Sequence, residues 1–331
     1  MEISAILKPL CEAQGISGYE NGLCEIFEKI ADPYLGERSS DALGSRWYEK
    51  NANGKKRLMI EAHGDKIGLM LSHITEGGFL KFAQVGGFDK KIMPASRVIV
   101  HGRRELHGVI GSVPPHLRKK QSFSEDNLAI DIGFDREKAS ELTDVGDLIE
   151  FETEYTPLAG TRAAASAFDD RAGIASIIKC LELLGEDGCS VIPCVSAQEE
   201  VGCRGAKTAA YNINPDMYIC IDVEHGTTPD AAHDTYPLGK GPVITIGPNV
   251  QPFMSKKLIE VAKQNEIPYQ LEVCGGNTGT NAWTVQIAKR GIPTALISIP
   301  LRYMHTCYEV IDLVDVENTA RLLAEFAKSM A

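Results

Sequence analysis

No stretch of the 331-residue sequence is apolar for long enough to span a bilayer, so there is no transmembrane helix to place and no membrane partner is expected. The opening residues, MEISAILKPLCEAQG, lack the charged start, apolar core and small-residue cleavage site of a secretory signal, which makes the cytoplasm the expected compartment. Blocks of lysine and arginine are missing too. With 34 basic residues against 45 acidic ones and a formal charge of -11, the chain offers nothing that tracks a phosphate backbone, and nucleic acid is excluded as an expected partner. Nine cysteines form no CxxC pair and sit mostly in apolar runs, such as those ending at Cys180, Cys194 and Cys220. They read as reduced core thiols rather than disulfides or zinc ligands. There is no low-complexity tail and no repeat. What is there is ordinary for a globular chain: a hydrophobic share of 44% and a length that suits one large unit plus a smaller one.

The most informative stretch is Val191 to Gly202, VIPCVSAQEEVG, where an apolar run of buried-strand character stops on two adjacent carboxylates and a glycine. Neighbouring side chains on extended backbone point to opposite faces, so Glu199 and Glu200 should not share one job. At the carboxyl end of a strand in an open α/β sheet, one acid could hold a metal while the other manages a proton. Taken alone, the simpler reading is a solvated loop or the first turn of a helix near Arg204 to Asn212. The remainder of the chain reverses that preference.

Several other segments end in the same way. Lys56 to Glu61 reads as a buried strand running into Ala62-His63-Gly64-Asp65; in an extended H-x-D, Asp65 lies on the same face as His63 and can accept the second N–H of its imidazole. Met217 to Ile221 stops on Asp222, with Glu224 and His225 beyond it as supporting or surface residues. Ile292 to Pro300 is the last core strand and leads to His305. Asp169 and Asp170 precede an apolar-striped helix, where acids serve as caps or, if a metal lies there, one Asp uses both oxygens to bridge two cations and Arg171 makes a salt bridge nearby. The glycine-rich loop Gly275 to Asn281 lacks a Gly-Lys-Ser/Thr ending and suits close backbone approach to a substrate better than phosphate.

Helices are expected over Ile3 to Ala13, after a capping box formed by Ser17 and Glu20, over Ser255 to Asn265, from the glycine loop to Lys289, and from about Val316 onward. Between Ile67 and Gly160 short β-like pieces recur, including Leu80 to Val85, Arg97 to His101, Leu106 to Val113, Leu128 to Gly133 and Leu148 to Phe151. Their spacing predicts an inserted small barrel or sandwich. Within it Pro114-Pro115-His116 suits a subunit contact or the rim of a site, with His116 structural or solvent-facing.

His63, Glu199, Glu200, Asp222 and His305 thus come from four predicted strands, at or just past carboxyl ends that a parallel sheet would gather on one edge, and Asp169 starts a helix that could face that edge. Two imidazoles with carboxylates form a mixed nitrogen and oxygen set suited to zinc, cobalt or manganese and too poor in oxygen for calcium. Two such ions sharing a carboxylate and a water lower that water's pKa toward about 7 and clamp the oxyanion formed on a carbonyl.

In this combination the sequence resembles the di-metal aminopeptidases that assemble into tetrahedral particles, the group of glutamyl and deblocking aminopeptidases, some members of which carry an endoglucanase label. The resemblance spans essentially the whole chain and rests on AHGDKIG from Ala62, FDDRAG from Phe168, QEEVGCRGA from Gln198, ICID ending at Asp222, GTNA from Gly279 and PLRYMHT from Pro300. It implies an α/β fold with a mixed central sheet flanked by helices, as in zinc exopeptidases, and an inserted β-barrel. Residues 1–66 and 161–331 would form the catalytic part, and 67–160 a dimerisation barrel whose dimers build a dodecamer. It further implies two divalent ions, with Asp169 bridging, His63 and Asp222 completing one site, and Glu200 and His305 the other. Glu199 would be the general base toward the bridging water, Asp65 would orient His63, and the peptide bond after Asp169 would be cis. The implied activity is release of the N-terminal residue of short peptides. Where many relatives have Met and Glu in the first motif this chain has Gly64 and Lys66, and Asn281 stands where many have an acid, so a preference for acidic or basic N-terminal residues does not carry over. A glycosidase using the paired acids and a non-catalytic assembly protein are the alternative functions.

Overall fold

The computed structural model describes residues 1–49, 56–114, 116, 127–184, 188–229 and 234–330. Four parallel strands, Ser190–Ser196, Arg57–His63, Met217–His225 and Thr294–Arg302, lie side by side in that order at the heart of an 11-stranded sheet. All four are near-continuous apolar runs because both faces of the sheet are covered. Alternation along each strand divides the core. Leu58, Ile60, Ile219 and Ile221 pack with helices Ile3–Glu12, Phe168–Leu184 and Leu313–Ser329, whereas Met59, Tyr218 and Cys220 pack with helices Gly205–Ile213 and Asn281–Val285. The sheet is mixed: Arg46–Glu49 adds antiparallel on one side, and Glu309–Asp312 and Val243–Ile246 add antiparallel to the Thr294–Arg302 strand.

A six-stranded antiparallel barrel is interposed between the first parallel strand and the helix at Phe168. It closes in the order Gly68–Ile74, Leu80–Val85, Ala129–Asp131, Glu105–Gly111, Arg97–His101, Leu148–Phe151, around a core that includes Leu69, Val98, Ile110 and Ile149. Strict alternation of exposed and buried residues along Glu105–Gly111 is the pattern of a strand with one dry face. A chain of polar contacts, buried at Glu150 and Lys66 and open to solvent at Gln14, ties the barrel to the segments that follow the first helix and strand Arg57–His63. Glu150 pairs with Lys66 at 3.2 Å and with His101 at 3.1 Å, and His101 Nδ1 lies 2.7 Å from the Gln14 amide.

Several expectations are revised. The strand expected to stop at Asp222 continues to His225, because Glu224 and His225 pair with Pro300 and Leu301. The helix after the glycine loop is the short Asn281–Val285 and does not reach Lys289. Ser17 and Glu20 form no capping box: Ser17 Oγ donates to buried Asp65 at 2.7 Å, while Glu20 accepts from the backbone N–H groups of Gly18 and Gln198. Arg171 makes no salt bridge among the described residues. It is fully buried and donates to the carbonyls of Leu10, Ala13 and Gly64, two of which lie at the end of the first helix. Pro115 falls outside the described residues, and His116 is exposed. Cys11, Cys24, Cys180, Cys194 and Cys220 are buried thiols inside the regular elements. No helix among the described residues is long and apolar enough to cross a membrane.

Candidate metal centre

The parallel register brings the site together. Ser196 pairs with His63 across neighbouring strands, so the turn that follows Ser196 starts level with the histidine. On the other side Cys220 pairs with Glu61, and carrying that register two residues further sets Asp222 level with His63. Asp169 arrives from a kink at the start of helix Phe168–Leu184, where the Asp169–Asp170 peptide is cis and both residues depart from helical backbone angles. His305 follows the Thr294–Arg302 strand in a left-handed conformation.

Two groups of donors result, and they share Asp169. His63, Asp169 and Asp222 each place a ligand atom within 4.8 Å of the others, and so do Asp169, Glu200 and His305. The two oxygens of Asp169 divide between the groups, Oδ1 lying 2.9 Å from His63 Nε2 and Oδ2 3.2 Å from His305 Nε2, while Glu200 Oε2 is 3.4 Å from the same His305 nitrogen. All five side chains named in the sequence as metal ligands therefore meet, and Glu199 lies beside them in the turn after Ser196. Asp65 serves this turn more than it serves the histidine. Its Oδ1 accepts from the N–H of Glu199 at 2.9 Å and its Oδ2 from the N–H of Glu200 at 3.1 Å, whereas His63 Nδ1 is nearer the Asp65 carbonyl, at 3.1 Å, than its carboxylate, at 3.6 Å.

The electrostatics test whether cations fit. Burial raises the carboxyl groups of Glu200 and Asp222 well above their usual range, and the negative charge of Asp169 adds to the effect; Glu199 is raised by burial in the same way. Burial also pushes Asp169 up, but hydrogen bonds from His305 and His63 overcome it and hold this carboxyl below the carboxylate range. Among the described residues, the cations within ion-pair reach of Asp169 and Glu200 are these two imidazoles. A buried cluster of acids this short of positive charge, offering nitrogen and oxygen donors in two groups around one carboxylate, is suited to divalent cations. Lys66, Ile67, Phe151, Asp169, Glu200 and His305 line a cleft at the site, so the last barrel strand supplies part of its wall.

Sequence reasoning missed the residues that brace the cluster. Glu309, 2% exposed, accepts from the N–H of Asp169 and of His305, each at 3.1 Å, and so joins two of the proposed ligands. Behind His63, buried Glu61 accepts from Ser196 Oγ, Tyr218 OH and Asn281 Nδ2, at 2.5, 2.5 and 2.8 Å. For Glu61 the available signal was an acid inside an apolar strand, which alternation assigns to the core without saying what satisfies it, whereas Glu309 opens a four-residue strand with no apolar run to mark it.

Comparison with known proteins follows the same line. The family model of the M42 glutamyl aminopeptidases matches residues 44–322. The lysyl aminopeptidase of Pyrococcus furiosus is 36% identical over 327 residues, covering 96% of this chain and 94% of that protein. Among solved structures, an aminopeptidase from the archaeon Desulfurococcus kamchatkensis superposes with a TM-score of 0.93 at 34% identity, over 99% of this chain and 94% of the other. The TET1 peptidase of Pyrococcus horikoshii, described as able to assemble into a tetrahedron or a large octahedral shell, gives a TM-score of 0.86 at 31% identity, over 98% and 99% of the two chains.

Proposed function

The chain belongs to the M42 glutamyl aminopeptidase family, and from that membership we propose that it is a two-metal aminopeptidase that removes the N-terminal residue of short peptides with Glu199 as general base. The observation that carries this reading is the pair of donor groups sharing Asp169 with Glu199 beside them. His63 and Asp222 would hold one divalent ion, Glu200 and His305 the other, and Asp169 both. When bound, zinc, cobalt or manganese ions supply Lewis acidity toward the scissile carbonyl and acidify the attacking water.

The remaining work falls to the chain's own groups. Glu199 takes the proton from the water and returns it to the leaving amine, and burial raises its carboxyl above the usual carboxylate range, the direction that favours holding the proton between the two steps. Asp65 holds the Glu199 and Glu200 backbone so that the two side chains diverge, one toward the proton and one toward the metal donors. Ser17 and Glu20 steady this arrangement from the N-terminal segment. Two consecutive acids sharing one anchor do not form the facing pair that flanks a glycosidic bond, which favours peptide over glycoside cleavage. By analogy with the assembly described for the P. horikoshii protein, we read residues 67–160 as an inserted unit whose barrel makes the dimers of a homo-oligomeric particle built on the dodecamer plan, with 1–66 and 161–331 as the catalytic part.

The test is hydrolysis of aminoacyl anilides. Activity should vanish with a chelator, return with zinc or cobalt, and be lost in Glu199→Gln. Full activity in that variant would remove Glu199 as the base, and chelator-insensitive release of reducing ends from soluble cellulose would replace the peptidase reading altogether.

A further inference from the structure

Cys203 is the one thiol that reaches the reactive groups. It lies four residues beyond Glu199, and its Sγ stands 2.9 Å from Glu199 Oε1. Among the described residues it is the only side-chain donor to that carboxylate. Burial, and then the charge of Glu199, raise the thiol above its ordinary pKa, so at neutral pH it keeps the single proton it can donate.

The backbone fixes where that proton points. The N–H of Cys203 donates to the Glu199 carbonyl at 2.8 Å, and the Cys203 carbonyl accepts from Thr284 Oγ1 at 3.1 Å. Between these ties Cys203 has φ of 52°, the left-handed region, where a residue with a Cβ is disfavoured by about 1 kcal/mol relative to glycine. The turn keeps a side chain where glycine would be easier, and that side chain touches Glu199.

We propose that Cys203 is a positioning residue for Glu199: its thiol ties Oε1 and leaves Oε2 as the oxygen that meets the water and then the leaving amine. This rests on the assignment of Glu199 as the base. A carboxylate free to rotate spends less time in the productive orientation, so the loss appears in kcat rather than in substrate binding.

The experiment compares wild type, Cys203→Ala, Cys203→Ser and Glu199→Gln as full-length zinc-loaded proteins on one aminoacyl p-nitroanilide. In Cys203→Ala kcat should fall about tenfold with KM within about twofold, the size expected for one hydrogen bond to a charged group. Cys203→Ser keeps a donor and should recover to within about threefold of wild type. Zinc affinity by calorimetry should be the same in wild type and both Cys203 variants. A wild-type kcat in Cys203→Ala, a loss that serine does not restore, or a loss that tracks weaker zinc binding would each overturn the positioning role. If Glu199→Gln is inactive in the same series, such a result removes only this inference; if Glu199→Gln is fully active, the base assignment itself has failed.

Discussion

Replacing Glu309 by glutamine should weaken metal binding without unfolding the protein. The carboxylate is buried and takes one N–H from Asp169 and one from His305, residues 136 positions apart in the chain that are proposed to share a metal ion. Glutamine has nearly the same shape, but one of its two terminal atoms is a donor and cannot accept, so one of these N–H groups loses its partner in a dry environment. A hydrogen bond to a charged group contributes about 1.5–3 kcal/mol, and the lost negative charge near the cations works in the same direction. That energy corresponds to about a 10- to 100-fold loss of affinity, the range typical of residues that orient metal ligands from behind. The metal-free protein should melt close to wild type, because burial and the neighbouring Asp169 raise the Glu309 carboxyl well above its usual range and the amide relieves that repulsion. Titration of chelator-stripped wild type and variant with zinc in a calorimeter gives the comparison. Affinities within about twofold, or a variant that melts far lower without metal, would show that Glu309 does not act through the ligands.

Two further outcomes concern the scaffold. The Glu150 carboxyl is lowered to about 2 from 4.5: burial opposes this, but Lys66 and His101 outweigh it. Between those values the unfolded chain binds the proton and the folded chain does not, so the contribution is complete above about pH 4.5 and fades as the pH falls toward 2; at full strength it corresponds to about 3 kcal/mol, less what burial takes from Lys66. In urea denaturation of metal-free protein, the stability gap between wild type and Glu150→Gln should therefore be larger at about pH 6 than at about pH 3, and a gap independent of pH would contradict the assignment. Gly205→Ala should destabilise by about 1–3 kcal/mol and disturb the turn carrying Glu199, since a Cβ there would meet Ala197 O and Ser45 Oγ at 2.4 Å and Ala197 N at 2.7 Å. Unfolding by denaturant, with unchanged midpoint as the contrary result, decides it.

Much of this protein could be read without coordinates, because the signals were local. A strand buried on both faces must be a continuous apolar run, so Arg57–His63, Ser190–Ser196, Met217–His225 and Thr294–Arg302 were visible with their acids and histidines in place, and the spacing of short strands pointed to the barrel. Short strands such as Glu37–Ser40, exposed along its whole length, and Glu309–Asp312, which lies between Thr294–Arg302 and Arg162–Ala165 in the sheet, carry no such run and went unseen, and with the latter went the role of Glu309.

Ser17 and Glu20 show the limit most clearly: three-residue spacing is the same whether a hydroxyl caps a helix or satisfies a buried Asp65 48 positions away. Which residue types were available for metal and proton chemistry was already set by the order of amino acids. Who holds whom was settled by folding, since buried Asp65, Glu309 and Arg171 take their partners under the rule that a polar group shut away from water must find one, and that partner is chosen by proximity in space.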